Sequence, residues 1–272
     1  MRRLLWTTFL GIVVFFGVAF AAVPDADDGF IAARGQGTPP PRFAGTPQGK
    51  LMAKRAAMVD LQRTILEHVR GLRAESRKTV GDLMADGAVR IAVDGVIREV
   101  EVTDGTYDGC TYTLDGRVDL RGIRRSLLPA IPEIQSWPKP AIPEGAYRGL
   151  VVDARKFDVA PSIVLRIRSA GGRAVYGPEF VDREMFVERG MCRFDDDIPK
   201  NTRRLAAAPR LVGTAEASEP EGPYLLIRAS GLYGDGTILV GDREAAAVER
   251  LAPLARVDGN VVVLVRPSAL GK

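Results

Sequence analysis

The side chains that could carry out chemistry are few in this 272-residue chain. Its one histidine, His68, stands between Glu67 and Val69 in a segment of helical periodicity. His68 follows Ile65 by three residues, which places it at the edge of an apolar stripe. This position predicts a boundary residue with a structural role. A single histidine argues against a histidine-rich zinc site and against a Ser-His-Asp triad. The chain also lacks a Gly-x-Ser-x-Gly elbow and a glycine-rich phosphate loop.

The two cysteines, Cys110 and Cys192, lie in different halves of the chain. Cys110 is in phase with the apolar residues of a predicted strand, which predicts a small buried hydrophobic residue. Outside the cytoplasm the two could form a disulfide, but their Cα atoms would have to approach within about 7 Å. The sequence leaves both states open and favours free thiols.

The acidic residues do not form a specific site pattern. Asp195-Asp196-Asp197 lacks the alternating spacing and the later glutamate of a calcium loop, so a solvated turn is predicted. The acidic run 25–28 is interpreted in the same way. Asp153 and Arg155 project to one side of a strand, which predicts an ion pair, and no second acid can be paired with Asp153 as a hydrolase would require. We therefore predict no catalytic, cofactor-binding or metal-binding residues, and no cofactor.

The longest predicted element is an amphipathic helix that begins at Gly49 and ends near Gly71. Thr46 is a candidate N-cap, Pro47 suits the first helical position, and Gly71 suits a left-handed C-terminal residue. Small residues at positions 53, 56 and 57 leave room for close approach to a sheet. The predicted apolar stripe comprises Leu51, Met58, Leu61, Ile65, Val69 and Leu72, widened by Met52, Val59 and Leu66.

A long hairpin is predicted to follow over Val89–Leu120. The phase of its apolar residues changes at Gly95, which predicts a bulge there. The alternation pairs Val102 with Leu114 and Val96 with Leu120, with a three-residue loop 107–109 in which Gly109 is left-handed. The predicted core contains Leu61, Ile65, Val100, Leu114 and Val118.

The remaining patterns predict a second unit of the same class. A short helix is expected over Ser76–Ala85, and the prolines of Gly122–Ala146 predict a boundary without sustained helix. The later elements are the strand Gly149–Arg155, a hairpin of Ile163–Ile167 and Arg173–Tyr176, the strand Tyr224–Ser230, a helix Asp242–Leu251 and the central strand Val261–Val265. The predicted fold class is α+β with two small domains, 49–126 and 147–272, joined by a proline-rich linker 127–146. In the first, a helix packs on a curved antiparallel sheet.

The N-terminus has the pattern of an export signal. Arg2 and Arg3 precede the uncharged run Leu4–Val23, and Ala19-Phe20-Ala21 offers small residues before a cleavage point at Ala22. The run is nearer the length of a membrane span, so an uncleaved anchor through residues 4–23 remains the alternative to a cleaved signal 1–21. Either state predicts a periplasmic or secreted protein, anchored in the inner membrane if uncleaved. Residues 22–48 are predicted to be a flexible spacer.

An alanine-rich helix followed by a Val-Asp-Gly-Val strand carries a family resemblance. Over about residues 49–120 the chain resembles the twenty-kilodalton outer-membrane lipoprotein family and the N-terminal domain of flagellar assembly protein T. The resemblance implies an α+β domain, an envelope location, no enzymatic activity and no catalytic residues. No cysteine precedes Cys110, so the lipid anchor of that family is not expected. The residues concerned are Ala53–Ala57, Asp60–Arg63, Leu66–Glu67, Val69–Gly71, Val93–Arg98 and Val118–Leu120.

These observations favour a non-enzymatic envelope protein of the bacterial periplasm. It would be a structural, assembly or partner-binding module in a flagellar or surface-export context, with an envelope protein or a cell-wall component as partner. A formal net charge of +4 and the lack of an aromatic-basic face argue against nucleic-acid binding. The alternatives are a secreted carboxylate-dependent hydrolase using Asp153 and a carrier of small ligands on the concave first sheet. A partner-binding module requires an exposed apolar patch or an unpaired strand edge, whereas an enzyme requires a pocket with convergent titratable groups.

Overall fold

The computed structural model describes residues 29–138, 147, 149–198, 202–204, 224–249 and 260–271. Its helices and strands form a first module (residues 29–127) and a second module (residues 149–271), which confirms the predicted α+β class. The helices are α1 (Pro47–Gly71), α2 (Val80–Leu83), α3 (Gly87–Arg98), α4 (Leu120–Leu127), α5 (Arg183–Arg189) and α6 (Asp242–Glu249). The strands are β1 (Phe30–Gly37), β2 (Glu101–Tyr107), β3 (Tyr112–Asp119), β4 (Gly149–Asp153), β5 (Ile167–Ser169), β6 (Ala174–Tyr176), β7 (Arg193–Asp195), β8 (Thr202–Arg204), β9 (Tyr224–Leu232), β10 (Ile238–Val240) and β11 (Val261–Leu264).

The first module is an antiparallel sheet of order β1-β3-β2 with α1 packed on one face. Strand β1 comes from the segment that was predicted to be a flexible spacer, so that prediction is wrong over Phe30–Gly37. The strand has little apolar alternation because, after Ile31, its helix-facing positions hold the small residues Ala33, Gly35 and Gly37. Residues 22–28 lie outside the described part of the chain.

Glycines in β1 allow α1 to approach the sheet at backbone distance. A Cβ atom placed on Gly35 would lie 2.3 Å from the Leu61 backbone nitrogen, and one on Gly37 would lie 2.3 Å from that of Ala57. The predicted role of the small residues in α1 is thereby confirmed for Ala53 and Ala57, which are fully buried. Packing at this distance requires glycine on the strand and alanine on the helix.

The buried line of α1 differs from the predicted stripe. Leu51 and Val59 are 70% and 61% exposed, because the face that contacts the sheet repeats at steps of four and these two residues lie on the opposite side. At the helix start, Thr46 accepts a hydrogen bond from the Gly49 amide, as predicted for an N-cap. The predicted left-handed Gly71 is wrong, since Gly71 is the last helical residue and the chain leaves in extended conformation. The buried line consists of Gly49, Ala53, Ala57, Leu61, Ile65 and Val69.

The predicted first strand of the hairpin is mostly a helix. Residues 87–98 form α3, which buries Val89, Val93 and Ile97 at steps of four and leaves Ile91 71% exposed. Apolar residues at 89 and 93 satisfy both a strand and a helix period, which explains the error. The bulge at Gly95 and both predicted pairs are therefore wrong.

The hairpin itself is shorter than predicted and has a different register. It consists of β2 and β3, and Val102 pairs with Gly116. Gly109 has a φ of 98°, as predicted, but the connection spans the four residues 108–111. Within it the Asp108 carboxylate accepts hydrogen bonds from the amides of Cys110 and Thr111. Leu114 and Val118 are buried as predicted, whereas Val100 is only partly buried.

Replacing Gly95 by alanine tests the reassignment of this segment. Gly95 is an exposed residue inside α3, and an added Cβ meets no atom within 4 Å. Alanine should therefore raise the free energy of unfolding by about 0.5–1 kcal/mol, because it loses less backbone entropy than glycine on forming a helix. Urea denaturation monitored by circular dichroism measures this change. A destabilised variant would instead support the bulged strand.

The segment after β3 is docked on the protein and is not a free linker. Helix α4 contains the fully buried Ile123 and Leu127, so the prediction that residues 122–127 hold no helix is wrong. Further on, Ile134 is buried, and the Asp182 carboxylate accepts a hydrogen bond from the Trp137 amide. Residues 139–146 of the predicted linker lie outside the described residues.

The second module is built on a mixed sheet of order β6-β5-β10-β9-β4-β11-β7, with β8 also paired to β9. Strands β4, β7, β8, β9 and β11 are mutually parallel. The predicted central strand is confirmed as β11, whose four residues are all buried between β4 and β7. A hairpin of β5 and β6 is present as predicted, but its first strand is Ile167–Ser169 and not Ile163–Ile167. Helix α6 begins at Asp242 as predicted.

The two modules share an extensive contact. Most of their buried apolar residues form one continuous cluster, and the amides of Ile163 and Val164 donate to the carbonyls of Arg73 and Ala74. The Arg124 guanidinium of α4 donates to the Val187 carbonyl at the end of α5. Burial lowers the pKa of this arginine. The first module is thus held on the second by a shared core and by hydrogen bonds.

Candidate functional site

The most exposed regular element of the first module is the outer strand β2. Residues 101–106 are exposed and Tyr107 is half-buried, so neither face of this strand is well covered. Helix α1 packs mainly over β1 and β3. Within the described residues no strand pairs with the outer edge of β2. The hairpin therefore presents an open strand edge to solvent.

The opposite edge of the same sheet is protected. Strand β1 lies beneath α1, and the Asp60 carboxylate on that helix accepts a hydrogen bond of 2.9 Å from the Gln36 amide. Hydrogen bonds from Arg63 and from this amide lower the pKa of Asp60, so the carboxylate stays ionised as an acceptor. The difference between the two edges makes β2 the accessible one.

Asp104 partly closes the open edge at one position. The Gly105 amide donates to the Asp104 carboxylate at 2.8 Å instead of donating to β3. An exposed side chain therefore satisfies a backbone donor that another strand could use. Charged residues of this kind commonly protect edge strands from uncontrolled pairing.

The two faces of the hairpin differ in charge. On the outer face, Arg34 and Arg117 form two-point ion pairs with Asp115 and Glu101. Hydrogen bonds from these arginines lower the pKa values of both carboxyl groups. The Arg117 guanidinium also lies 4.1 Å from the centre of the Phe30 ring. Both arginines of the outer face are thus paired, and the Asp104 carboxylate opposite Asp115 leaves that face with a net negative charge.

The inner face near the hairpin tip is aromatic and positively charged. The rings of Tyr107 and Tyr112 lie 5.9 Å apart. The Lys50 Nζ atom lies 5.5 Å from the centre of the first ring, and the Lys54 Nζ atom lies 5.8 Å from that of the second. We name these four residues the lysine–tyrosine surface. The sequence places two tyrosines around Gly109, but their contact with the start of α1 depends on the fold.

The acid predicted as a hydrolase candidate is part of a local ion pair. Asp153 ends β4, and its two carboxylate oxygens lie 2.9 and 2.8 Å from Nε and Nη2 of Arg155, which confirms the predicted pair. Hydrogen bonds from Arg155 lower the pKa of Asp153. A glycosidase acid requires a raised pKa, so this environment does not suit that role.

A second acid lies at the same end of the sheet, two strands away from Asp153. Asp195 ends β7, and Leu264 of β11 pairs with both residues, so their backbones are two strand spacings, about 10 Å, apart. The Asp195 carboxylate accepts hydrogen bonds from the amides of Asp196 and Asp197, which makes it part of its own turn. Among the described residues no group of histidine, cysteine and acidic side chains could hold a metal ion.

The other side chains that the sequence analysis considered for chemistry lie on different elements. His68 is half-buried on α1. Cys110 is exposed in the hairpin loop, so its predicted burial is wrong, because the loop is one residue longer than expected. Cys192 is also a free thiol, and burial raises its pKa to about 12 although the residue keeps some exposed surface. The acidic run 25–28 lies outside the described residues.

Two shallow surface depressions occur in the first module, and both are open to solvent. One follows the solvent side of α1 and the other lies on the outer face of the sheet. A carrier of small ligands requires a concave site that buries most of the ligand. The face of the sheet that was predicted to receive a ligand is covered by α1. The depression on α1 is lined by Met52, Arg55, Ala56, Val59, Asp60 and Arg63.

Comparison with known families gives a match to the second module. Residues 149–250 match the family described as the second domain of Treponema pallidum Tp0624. This is an uncharacterised domain family. The match begins at β4 and includes the hairpin β5–β6, and it does not include β2. Among curated proteins none matches the chain. Within the residues that the structure describes, no helix is both long and apolar enough to cross a bilayer.

Proposed function

We propose that this chain is a non-enzymatic partner-binding module of the bacterial envelope with a structural or assembly role. The first module captures an extended segment of a partner protein, which adds as a fourth strand to β2. The second module is the base on which the hairpin is held. The resemblance of the alanine-rich helix α1 to flagellar and lipoprotein modules suggests flagellar or surface assembly as the context, and the Val93–Arg98 part of that pattern, expected as a strand, lies in α3.

The open edge of β2 is the observation that carries this proposal. Strand addition uses main-chain hydrogen bonds for affinity and the alternate side chains for specificity. Strand β1 is the other edge of this sheet, and it is covered by α1 and capped by Asp60. The outer strands of the second sheet, β6, β7 and β8, have only three residues each. Strand β2 has seven, which suffices for several backbone hydrogen bonds.

The Asp104 cap is consistent with a reversible use of this edge. Its bond to the Gly105 amide is exposed, so it can be exchanged for a bond to an incoming carbonyl at small net cost. In the absence of a partner the cap satisfies the donor and limits self-association. Export through the N-terminal residues 1–23 would place this edge outside the cytoplasm.

A proline at position 105 should abolish capture of the partner. In a pull-down from native envelope with residues 22–272 as bait, Gly105→Pro removes the amide that faces the open edge and places a ring there. Gly105→Ala is the matched control, because both variants carry the same Cβ near Leu114 Cδ2, at 2.9 Å, and only one keeps the amide. We expect the alanine variant to retain the captured protein and the proline variant to lose at least about 90% of it, corresponding to more than about 1.4 kcal/mol.

Two further arms make this experiment decisive. Circular dichroism and urea denaturation of both variants show whether the hairpin is still folded, since proline is tolerated on edge strands. Asp153→Ala tests the hydrolase alternative and should leave capture unchanged. Equal capture by the folded proline and alanine variants would refute strand addition. Loss of an envelope-polymer hydrolysis with Asp153→Ala would refute the non-enzymatic assignment.

A further inference from the structure

We infer that the segment added to β2 is acidic on one face, with carboxylates that contact the lysine–tyrosine surface. This inference rests on the proposed function and specifies the chemistry of its partner. It follows from the position of two lysines beside the open edge and from the distribution of ion pairs over the hairpin.

The lysines lie over the face of the hairpin that is turned toward α1. Tyr112 alternates with Leu114 and Val118, whose side chains are buried beneath that helix. Tyr107 is paired with Tyr112 and therefore shares its face. The Lys50 and Lys54 side chains extend from the first turns of α1 across these rings. Both ammonium groups are thus held at the inner side of the strand that is open.

These two lysines carry uncompensated charge. No ion pair in the described part of the chain includes either of them. On the outer face of the same hairpin, by contrast, Arg34 and Arg117 are both paired with carboxylates. An added strand would therefore meet an outer face whose arginines are paired and which also carries the Asp104 carboxylate, and a positive inner face. A strand of complementary charge would carry its acidic side chains on the inner face, toward the two lysines.

The geometry distinguishes the two lysines. A strand added to β2 lies about 4.8 Å from it, and its side chains come within about 5.5 Å of those directly opposite. Lys50 lies over the ring of Tyr107 on β2, so an inward carboxylate of the added strand reaches its ammonium group. Lys54 lies over Tyr112 on β3, one strand further away. Lys50 should therefore contribute more than Lys54.

An anionic polysaccharide would also be attracted by lysines on tyrosine rings. Stacking on rings and charge attraction do not require the Gly105 amide, whereas strand addition does. The effect of Gly105→Pro therefore separates the two classes of ligand. The open edge beside the lysine–tyrosine surface favours the peptide.

The test uses three nine-residue peptides, capped at both ends, in which threonine alternates with glutamate, glutamine or lysine. Their dissociation constants for residues 22–272 are measured by fluorescence anisotropy at low salt, with polygalacturonate as the polysaccharide probe. We expect the glutamate peptide to bind about tenfold more tightly than the lysine peptide, as two exposed charge pairs allow. This preference should weaken as salt screens the charges.

Charge reversal then locates the contact. Lys50→Glu should weaken binding of the glutamate peptide about tenfold and Lys54→Glu about threefold. Arg55→Glu is the matched control, because it makes the same charge change on the side of α1 that carries Met52 and Val59, and it should have no effect. Amide hydrogen exchange of β2 should slow when the glutamate peptide is bound.

The combined results decide whether the ligand is an acidic peptide, another peptide or a polysaccharide. Equal binding of the three peptides, or an equal effect of the three charge reversals, would overturn the inference. If Gly105→Pro abolishes capture from the envelope while Lys50→Glu does not change it, the acidic partner is wrong and strand addition stands. If polygalacturonate binds to the wild-type chain and to Gly105→Pro equally and the glutamate peptide does not bind, the surface recognises a polysaccharide and the inference is overturned.

Discussion

Replacing Gly35 by alanine is expected to destabilise the protein by about 3 kcal/mol, at the upper end of the usual cost of overpacking. The added Cβ would lie 2.3 Å from the Leu61 nitrogen and 2.4 Å from the Ala57 carbonyl oxygen. Both atoms belong to the helix backbone, which cannot move aside without separating α1 from the sheet. The free energy of unfolding, measured by urea denaturation, should show this loss.

Gly71→Ala is the matched control for this prediction. Gly71 is also a glycine of the first module, but an added Cβ meets no atom within 4 Å. Because Gly71 is helical, alanine there should be neutral or slightly stabilising. Equal stability of the two variants would mean that β1 does not pack against α1.

Truncating Leu61 to alanine should cost about 2–5 kcal/mol. Leu61 is fully buried on α1, and its Cδ2 atom lies 2.7 Å from the position that a Cβ on Gly116 would occupy. The side chain thus fills a space above a glycine of β3, and its loss leaves a cavity that backbone atoms cannot fill. Thermal or urea unfolding of the variant measures the change.

Leu51→Ala supplies the control on the same helix. Leu51 is 70% exposed, so its truncation should change stability by less than about 0.5 kcal/mol. The sequence alone predicts burial of both leucines. A comparable loss at the two positions would contradict the orientation of α1.

The sequence predicted the elements whose periodicity has one interpretation. The helix α1 has a long repeat and an N-cap at Thr46, and the run of β-branched residues at β11 is typical of a central strand. In α3 the apolar spacing fits both a strand and a helix, and the predicted strand is wrong. Strand β1 could not be recognised, because the glycines that permit its contact with α1 also remove the alternating pattern.

The candidate site could be predicted only in part. A hairpin with a left-handed Gly109 follows from the sequence, but its register and its extent do not. The ion pair of Asp153 with Arg155 also follows from the sequence. Which edge of the sheet stays open depends on where α1 lies, and this in turn depends on the unrecognised strand β1. Lys50 and Lys54 belong to the start of α1, and only the three-dimensional fold brings them over the hairpin.

Amide hydrogen exchange of β2 in the partner complex tests the central claim most directly. The complex recovered from the envelope is compared with the free chain, and exchange is followed by mass spectrometry for residues 101–107 and, as a reference, for β1. Strand addition predicts that the amides of Gly105 and Tyr107 become at least about tenfold more protected, since they form new backbone hydrogen bonds. The amides of β1 should remain unchanged. A complex that leaves exchange in β2 unaltered would contradict the account.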